Sequence, residues 1–475
     1  MIDDNKSSLI NRTLKNLRHV WQGIAGFEYD ESSASLHPDL PEKDTERLLK
    51  QMHACLETRG GEVSARARAA ALGRAYLALN KSGKMKYLRV LAENFGVDHK
   101  AVDDNIDALQ QTKDPVSRSI AEQNLRRTLE APRLKLLTQF NALPEGVKFL
   151  VDMRADLLEA IEFDKSLRGL EHDLKGLLKT WFDVDFLELR QISWDTCSAS
   201  VLEKLIAYEA VHAIESWYDL KNRLDSDRRC FAYFHPRMPD EPLIFVEVAL
   251  VDGLSANVQD LLDENAPVID PEKADTAIFY SISNAQKGLA GISFGNFLIK
   301  RVVKSLSSEF KELKTYATLS PMPGFKTWLD QNLGFKEKKL SDFHEMTFFK
   351  ELSDSEIISL NELKIFLDTP VWPEQPHKLE LFQSVLTRLA TSYLTGEKRK
   401  NGDLRALDPV AHFHLSNGAS LKRLNWMGDT SVKGLRQSLG FMVNYLYEIG
   451  NLETNHEAYK SEGKLAVSPS LRGLF

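Results

Sequence analysis

A chain of 475 residues has room for two or three domains and a sizeable core. Its 61 basic against 68 acidic side chains leave a formal charge of −7, which excludes the global basic field of a nucleic-acid binder, and 43% apolar with 27% charged residues is the balance of a globular protein. No run of eighteen apolar residues is present, the start MIDDNKSSLINRTLKNL is polar, and Cys55, Cys197 and Cys230 stand far apart, so the expectation is a cytoplasmic protein without a membrane span, disulfide framework or zinc site.

From Leu9 to about residue 180 apolar residues recur three and four apart, as in SARARAAALGRAYLALN, MKYLRVLAENF, VKFLVDMRADLLEAIEF and LRGLEHDLKGLLKTWF, and strand-like runs are missing. Breaks fall at EYDESSASLHPDLPEKD, DPVSRS and NALPEG, where Pro, Gly, Asp and Ser cluster. Residues 1–180 therefore read as an all-helical bundle. They offer no constellation of His, Cys and carboxylates suited to chemistry, and His53, His99 and His172 read as surface or packing residues. Subunit assembly is the expected work of this half.

After Trp181 runs rich in aromatic and β-branched residues begin: CFAYFH (230–235), LIFVEVALV (243–251), TAIFYSIS (276–283) and TYATLS (315–320). PRMPDEP between the first two suits a tight antiparallel connection. TAIFYSIS leads through NAQKGLAG into the helical pattern ISFGNFLIKRVVKSLSSEF and then TYATLS, and a crossover of that length predicts parallel strands. The acidic, proline-containing stretch 252–275 reads as a surface excursion. Residues 181–475 thus form an α/β half, and the fold class is α+β.

A helix start preceded by small residues exposes free N–H groups and the positive end of a dipole, which suits a diphosphate; Gly288, Gly291 and Gly295 would let a ligand approach backbone closely. Taken alone, glycines at such a junction more often serve a plain turn. The order of elements nevertheless resembles the GCN5-related acetyltransferase fold with helical insertions: a long strand, a pyrophosphate loop, a helix, a splayed next strand, then FKTWLDQNLGF (325–335). The strict Q-x-x-G-x-G/A loop is absent, since the glycines after Gln286 are spaced differently.

Longer segments narrow the resemblance. GLAGISFGNFLIKRVV (288–303), ATLSPMPGFKTWL (317–329) and DPVAHFHLSNGASLKRLNWMGDTSVKGLRQSLGFMVNYLY (408–447) are similar to malonyl-CoA decarboxylases, as are VKFLVDMRADLL, AYEAVHAIESWYDLKNRL, EPLIFVEVAL and TAIFYSIS. The resemblance implies conversion of malonyl-CoA to acetyl-CoA and carbon dioxide, with coenzyme A entering as part of the substrate and no cofactor or metal. It also implies a homo-oligomer, expected as a homotetramer, with neither nucleic acid nor membrane as partner. It assigns catalysis to Ser320 of the S-P-x-P-G-F segment, His414 of F-H-L-x-N-G-A and Tyr447 near the end of N-Y-x-Y. Contacts with the thioester fall to Ala290, Gly291, Ile292, Ser293, Phe294, Gly295 and Asn296. Ser293 departs from the pattern, for animal members carry Glu there.

The residues themselves agree with these roles without singling them out. Pro321 and Pro323 fix the backbone leaving Ser320, which aims a hydroxyl or merely starts a turn. His412 and His414 share a face on a strand and diverge on a helix. Losing carbon dioxide from malonyl-CoA leaves electrons that the thioester carbonyl accepts, so the reaction needs donors at an incipient enolate and an acid for C2. Either Ser320 orients the carboxylate while His414, with an ordinary near-neutral pKa, delivers the proton, or Ser320 is a nucleophile activated by His414. Asn417, Asn425, Asp429, Ser431 and Asn444 stand as hydrogen-bonding partners or as plain caps. Two other functions fit a coenzyme A pocket: an acyl-CoA N-acyltransferase and a non-catalytic helical assembly module.

Overall fold

A computed structural model describes residues 17–21, 24, 36–57, 61–292, 298–332, 376–399 and 403–474. The first part of the chain is helical, from Glu42–Leu56 through Arg168–Trp181. Two of the sequence breaks are helix starts. In DPVSRS, Asp114 accepts from the Ser117 N–H and Pro115 occupies the first turn, where no backbone N–H is needed. In NALPEG, Glu145 turns the chain at φ 57°, and a Cβ on Gly146 would lie 1.7 Å from the Phe140 carbonyl oxygen, so only glycine lets the next helix begin there. That helix, Gly146–Ile161, buries Phe149, Leu150, Val151, Met153 and Leu157, and with them Arg154. His53, His99 and His172 are exposed.

One mixed sheet follows. Its strands are β1 (Glu188–Ile192), β2 (Arg228–Phe234), β3 (Ile244–Val251), β4 (Thr276–Asn284), β5 (Thr315–Thr318), β6 (Ser320–Pro321), β7 (Ser420–Asn425) and β8 (Met442–Leu446). They lie in the order β1-β2-β3-β4-β5-β8-β6, with β7 also on β8. As expected, β2 and β3 are antiparallel, while β4 and β5 run parallel across the helix Leu298–Glu309. Every residue of β3 is buried, which explains a sequence that is apolar but for Glu247, itself paired with Arg223 at 3.0 Å. β1, β7 and β8 were not among the predicted strands. ELRQI and SLKRLN carry charges on half-exposed positions and hide the alternation.

Two features of the sheet set up the site. β4 pairs with β5 only from Thr276↔Thr315 to Phe279↔Thr318; the Leu319 N–H then reaches the Phe279 carbonyl at 3.0 Å, and the strands part. β4 runs on to Asn284 while Ser320 turns away to pair with Val443 of β8. The stretch 252–275 runs over this sheet and is clasped to the C-terminal segment. Val258 and Leu261 are buried, the Val258 N–H bonds the Gly428 carbonyl at 2.8 Å, and Gln259 reaches Asp429 at 2.9 Å.

Candidate active site

The segment DPVAHFHLS forms a helix, Pro409–Ser416. Asp408 caps it by accepting the Val410 and Ala411 N–H groups, each at 2.9 Å, and Pro409 stands in the first turn. On a helix, residues two apart point in nearly opposite directions, and the two histidines separate accordingly. His412 Nδ1 lies 3.0 Å from the Tyr459 hydroxyl. His414 Nε2 lies 2.9 Å from Ser320 Oγ and its Nδ1 2.8 Å from the Tyr447 hydroxyl.

Ser320, His414 and Tyr447 therefore form one hydrogen-bonded chain, with relative exposures of 5%, 2% and 1%. The His414 ring also stacks on Tyr445, centroids 4.6 Å apart and planes inclined by 25°. Burial pushes the His414 imidazole down to about 3 and the Tyr447 phenol well above its usual range. The near-neutral value expected of His414 is thus corrected: among the described residues no carboxylate touches the ring to offset its desolvation.

The chain opens onto a cleft of about 780 Å3 where β4 leaves β5. Phe279, Tyr280, Ile282 and Asn284 form one wall, Ser320 and the histidine helix another, and Gly291, Arg405, His456 and Lys460 also line it. Gly291 is at φ +72°. The N–H groups of Leu289, Ala290 and Ile292 are spent within the loop, on the carbonyls of Gln286, Lys287 and Leu289, whereas that of Gly291 has no acceptor among the described residues. The Ala290 carbonyl turns to Arg154 and the Ile292 side chain is buried, so Gly291 is the member of the expected set that faces the cleft; Ser293, Phe294, Gly295 and Asn296 lie outside the described residues.

The chain matches the malonyl-CoA decarboxylase C-terminal domain over residues 185–475 and the malonyl-CoA decarboxylase N-terminal domain over residues 95–182. It belongs to the malonyl-CoA decarboxylase family. A mitochondrial malonyl-CoA decarboxylase of Anser anser anser is 38% identical over 398 residues, 80% of this chain and 77% of that protein. That of Mus musculus is 37% identical over 410 residues, 83% of this chain and 82% of that protein. The crystal structure of malonyl-CoA decarboxylase from Rhodopseudomonas palustris superposes with a TM-score of 0.81 at 41% identity, covering 90% of this chain and 99% of that one. For the structure from Agrobacterium vitis the values are 0.79, 40%, 90% and 99%.

Three residues that position this family member's site escaped the sequence reading. Asp408, fully buried, accepts from the Tyr393 hydroxyl at 3.0 Å and from the Gly324 N–H besides capping the helix, so it ties the turn after Ser320 to the element that carries His414. Tyr445 supplies the surface against which the imidazole lies. Arg154, from the helical part, donates to the Gly288 carbonyl at 2.5 Å, the Ala290 carbonyl at 2.9 Å and Glu171 at 2.7 Å. Asp408-Pro409 carries a readable cap signature, and an arginine inside an apolar helix face was a signal too. The polar residues singled out in the C-terminal stretch serve structure. Asn444 donates to the Thr318 carbonyl at 2.7 Å and accepts from Asn425 at 2.9 Å, Asp429 accepts from the Ser431 N–H, Ser431 caps a helix at Gly434, and Asn417 ends the histidine helix.

Proposed function

We propose that this chain decarboxylates malonyl-CoA in the cleft between β4 and Ser320, through an enolate-like species protonated at C2. The observation that carries the reading is the Ser320–His414–Tyr447 chain at the point where the two strands part. The acyl thioester would lie along β4, with the coenzyme A part leaving past Gly291. Ser320 would hold the carboxylate, and His414, neutral in the free protein, would gain a proton as that anion enters its low-dielectric surroundings. Carbon dioxide departs, the electron pair moves onto the thioester oxygen, and the proton on Nε2 goes to C2. The one proton the reaction consumes is thereby accounted for. The thioester is its own electron sink, so the proposed chemistry calls on no metal or further cofactor. Tyr447 fixes the ring and, according to tautomer, donates to or accepts from Nδ1.

Incubation of the pure protein with malonyl-CoA and no acceptor is expected to yield equal amounts of acetyl-CoA and carbon dioxide. Turnover that begins only when an amine is added would instead make the protein an acyltransferase on the same pocket. Coenzyme A binding without either reaction would favour the assembly-module reading.

A homo-oligomer, tetrameric as the resemblance implies, is proposed on separate grounds. Helices His99–Gln111 and Pro115–Thr128 pack on each other, yet neither holds a buried residue, and Ile106 on the first and Val116 and Ile120 on the second are exposed. An apolar hairpin face of this kind suits a second subunit. Ile120→Glu is expected to lower the mass measured by sedimentation equilibrium with little change in the melting of the monomer fold; an unchanged mass would remove the hairpin from the interface. Among the described residues no helix is long and apolar enough to cross a membrane. The cytoplasm is our proposed location, supported by three cysteines that are all unpaired. The curated animal relatives are mitochondrial by name, and fractionation of source cells decides between the two.

A further inference from the structure

Resting on the reading of the cleft as a malonyl-CoA site, we propose that Lys175, on the last helix of the helical half, binds the diphosphate of the coenzyme A moiety together with the Gly291 N–H. The helix Arg168–Trp181 buries Leu170, Leu174 and Leu178 and presents Lys175, half-buried, to the glycine-containing loop. Its Nζ lies 3.1 Å, and its Cε 3.6 Å, from the point that a Cβ on Gly291 would occupy. Any side chain at 291 would crowd that ammonium, so the glycine provides its approach as well as the positive φ of the turn.

Two charges stand at the loop, and they are used differently. Arg154 is committed, its guanidinium spread over Glu171 and the carbonyls of Gly288 and Ala290. Lys175 makes no hydrogen bond or ion pair among the described residues. With the Gly288 and Ala290 carbonyls, both ahead of Gly291, drawn back by Arg154, the open amide and the open ammonium remain together at the cleft edge. A free N–H beside an unpaired cation is a seat for the anionic oxygens of a phosphate group. The 3′-phosphate of coenzyme A shares that chemistry; the diphosphate is favoured because the seat lies on the loop next to the cleft that holds the acyl end, and the 3′-phosphate belongs to the remote nucleoside. The two halves of the chain then share one substrate.

The test is calorimetric titration of the full-length protein, as wild type, Lys175→Ala and Lys175→Arg, with coenzyme A, dephospho-coenzyme A and pantetheine. Loss of one charge-assisted contact is expected to weaken coenzyme A and dephospho-coenzyme A equally, by about ten- to a hundredfold. Pantetheine binding should not change, and Arg should retain most of the affinity. The KM for malonyl-CoA should rise by the same factor with kcat within about twofold, while both constants for malonyl-pantetheine stay put. Unchanged coenzyme A affinity in Lys175→Ala overturns the assignment. A loss that spares dephospho-coenzyme A moves the contact to the 3′-phosphate and overturns the diphosphate claim. A loss shared by pantetheine means structural damage instead of a lost phosphate contact, and also counts against it. Wild-type protein that bound coenzyme A normally but did not compete it with malonyl-CoA would sink the reading of the cleft, independently of the lysine.

Discussion

Ser320→Ala and His414→Ala are each expected to lower malonyl-CoA turnover by on the order of a hundredfold or more, the upper range for one oriented donor or general acid. The double variant should be little worse than the poorer single one. The two side chains are 2.9 Å apart and belong to one hydrogen-bonded chain, and groups acting in one step lose their contributions together. Coenzyme A affinity should survive in all three variants, because the nucleotide is assigned to the glycine-containing loop. His412→Ala should retain activity, since His412 lines the same cleft but its Nδ1 pairs with the Tyr459 hydroxyl and not with Ser320. Near-normal acetyl-CoA production by either single variant would remove that residue from the mechanism; fully additive losses would mean that the two act independently.

The same pair has a signature in protons. A folded pKa of about 3 leaves the free imidazole neutral throughout the physiological range. A carboxylate seated beside the ring favours the imidazolium and raises that pKa from its depressed value. Binding S-(2-carboxyethyl)-coenzyme A, which carries the anion and cannot lose carbon dioxide, should therefore take up protons, by an amount that grows as pH is lowered from neutrality toward about 5, as measured in buffers of different ionisation enthalpy. Coenzyme A itself should take up none through this ring, and His414→Gln should abolish the difference. Equal uptake by the two ligands in the wild type would show that the imidazole stays neutral.

What the sequence disclosed follows from how each feature is encoded. β2, β3 and β4 are largely buried, and their runs rich in aromatic and β-branched residues announced them; the charged edge strand β1 and β7 alternate too weakly to read, and β8 is a mostly buried run of five residues with Asn444 at its centre. Family resemblance singled out Ser320, His414 and Tyr447, whereas composition and spacing left them level with their neighbours. Which histidine faced inward depended on helix against strand, and the Asp408-Pro409 cap decided it. The pKa of His414 was illegible, because desolvation depends on everything packed around the ring. So was the involvement of the helical half. Arg154 and the loop it holds are more than 130 residues apart in the chain, and the hydrogen bonds that join them go to backbone carbonyls, which have no sequence.

Arg154→Met is the substitution in the helical half with the largest expected consequence. The methionine replaces the apolar stem, so packing changes little, but the Gly288 and Ala290 carbonyls lose their donor and Glu171 its partner. Removing one side of a buried, charge-assisted set costs about 3 kcal/mol, which should appear as a lower denaturant midpoint at unchanged slope. A functional loss should accompany it. Gly288 is pressed onto the helix so closely that a Cβ there would lie 1.8 Å from the Val151 carbonyl oxygen, and this contact keeps the start of the loop in place. Ala290, two residues on, has no such brace, and its carbonyl is free to swing once the guanidinium is gone. Rotating that peptide turns the Gly291 N–H out of the cleft, since the two groups belong to one planar unit. Coenzyme A affinity should then fall by about tenfold, the worth of one charge-assisted hydrogen bond, while the rate on malonyl-pantetheine stays close to that of the wild type. Lys at 154 keeps the charge without the planar fork that spans two carbonyls and a carboxylate, and should recover stability better than affinity. A methionine variant that lost stability yet bound coenzyme A normally would show that the Gly288 contact alone holds the loop. Arg154 would then be a strut between the two halves with no part in shaping the site.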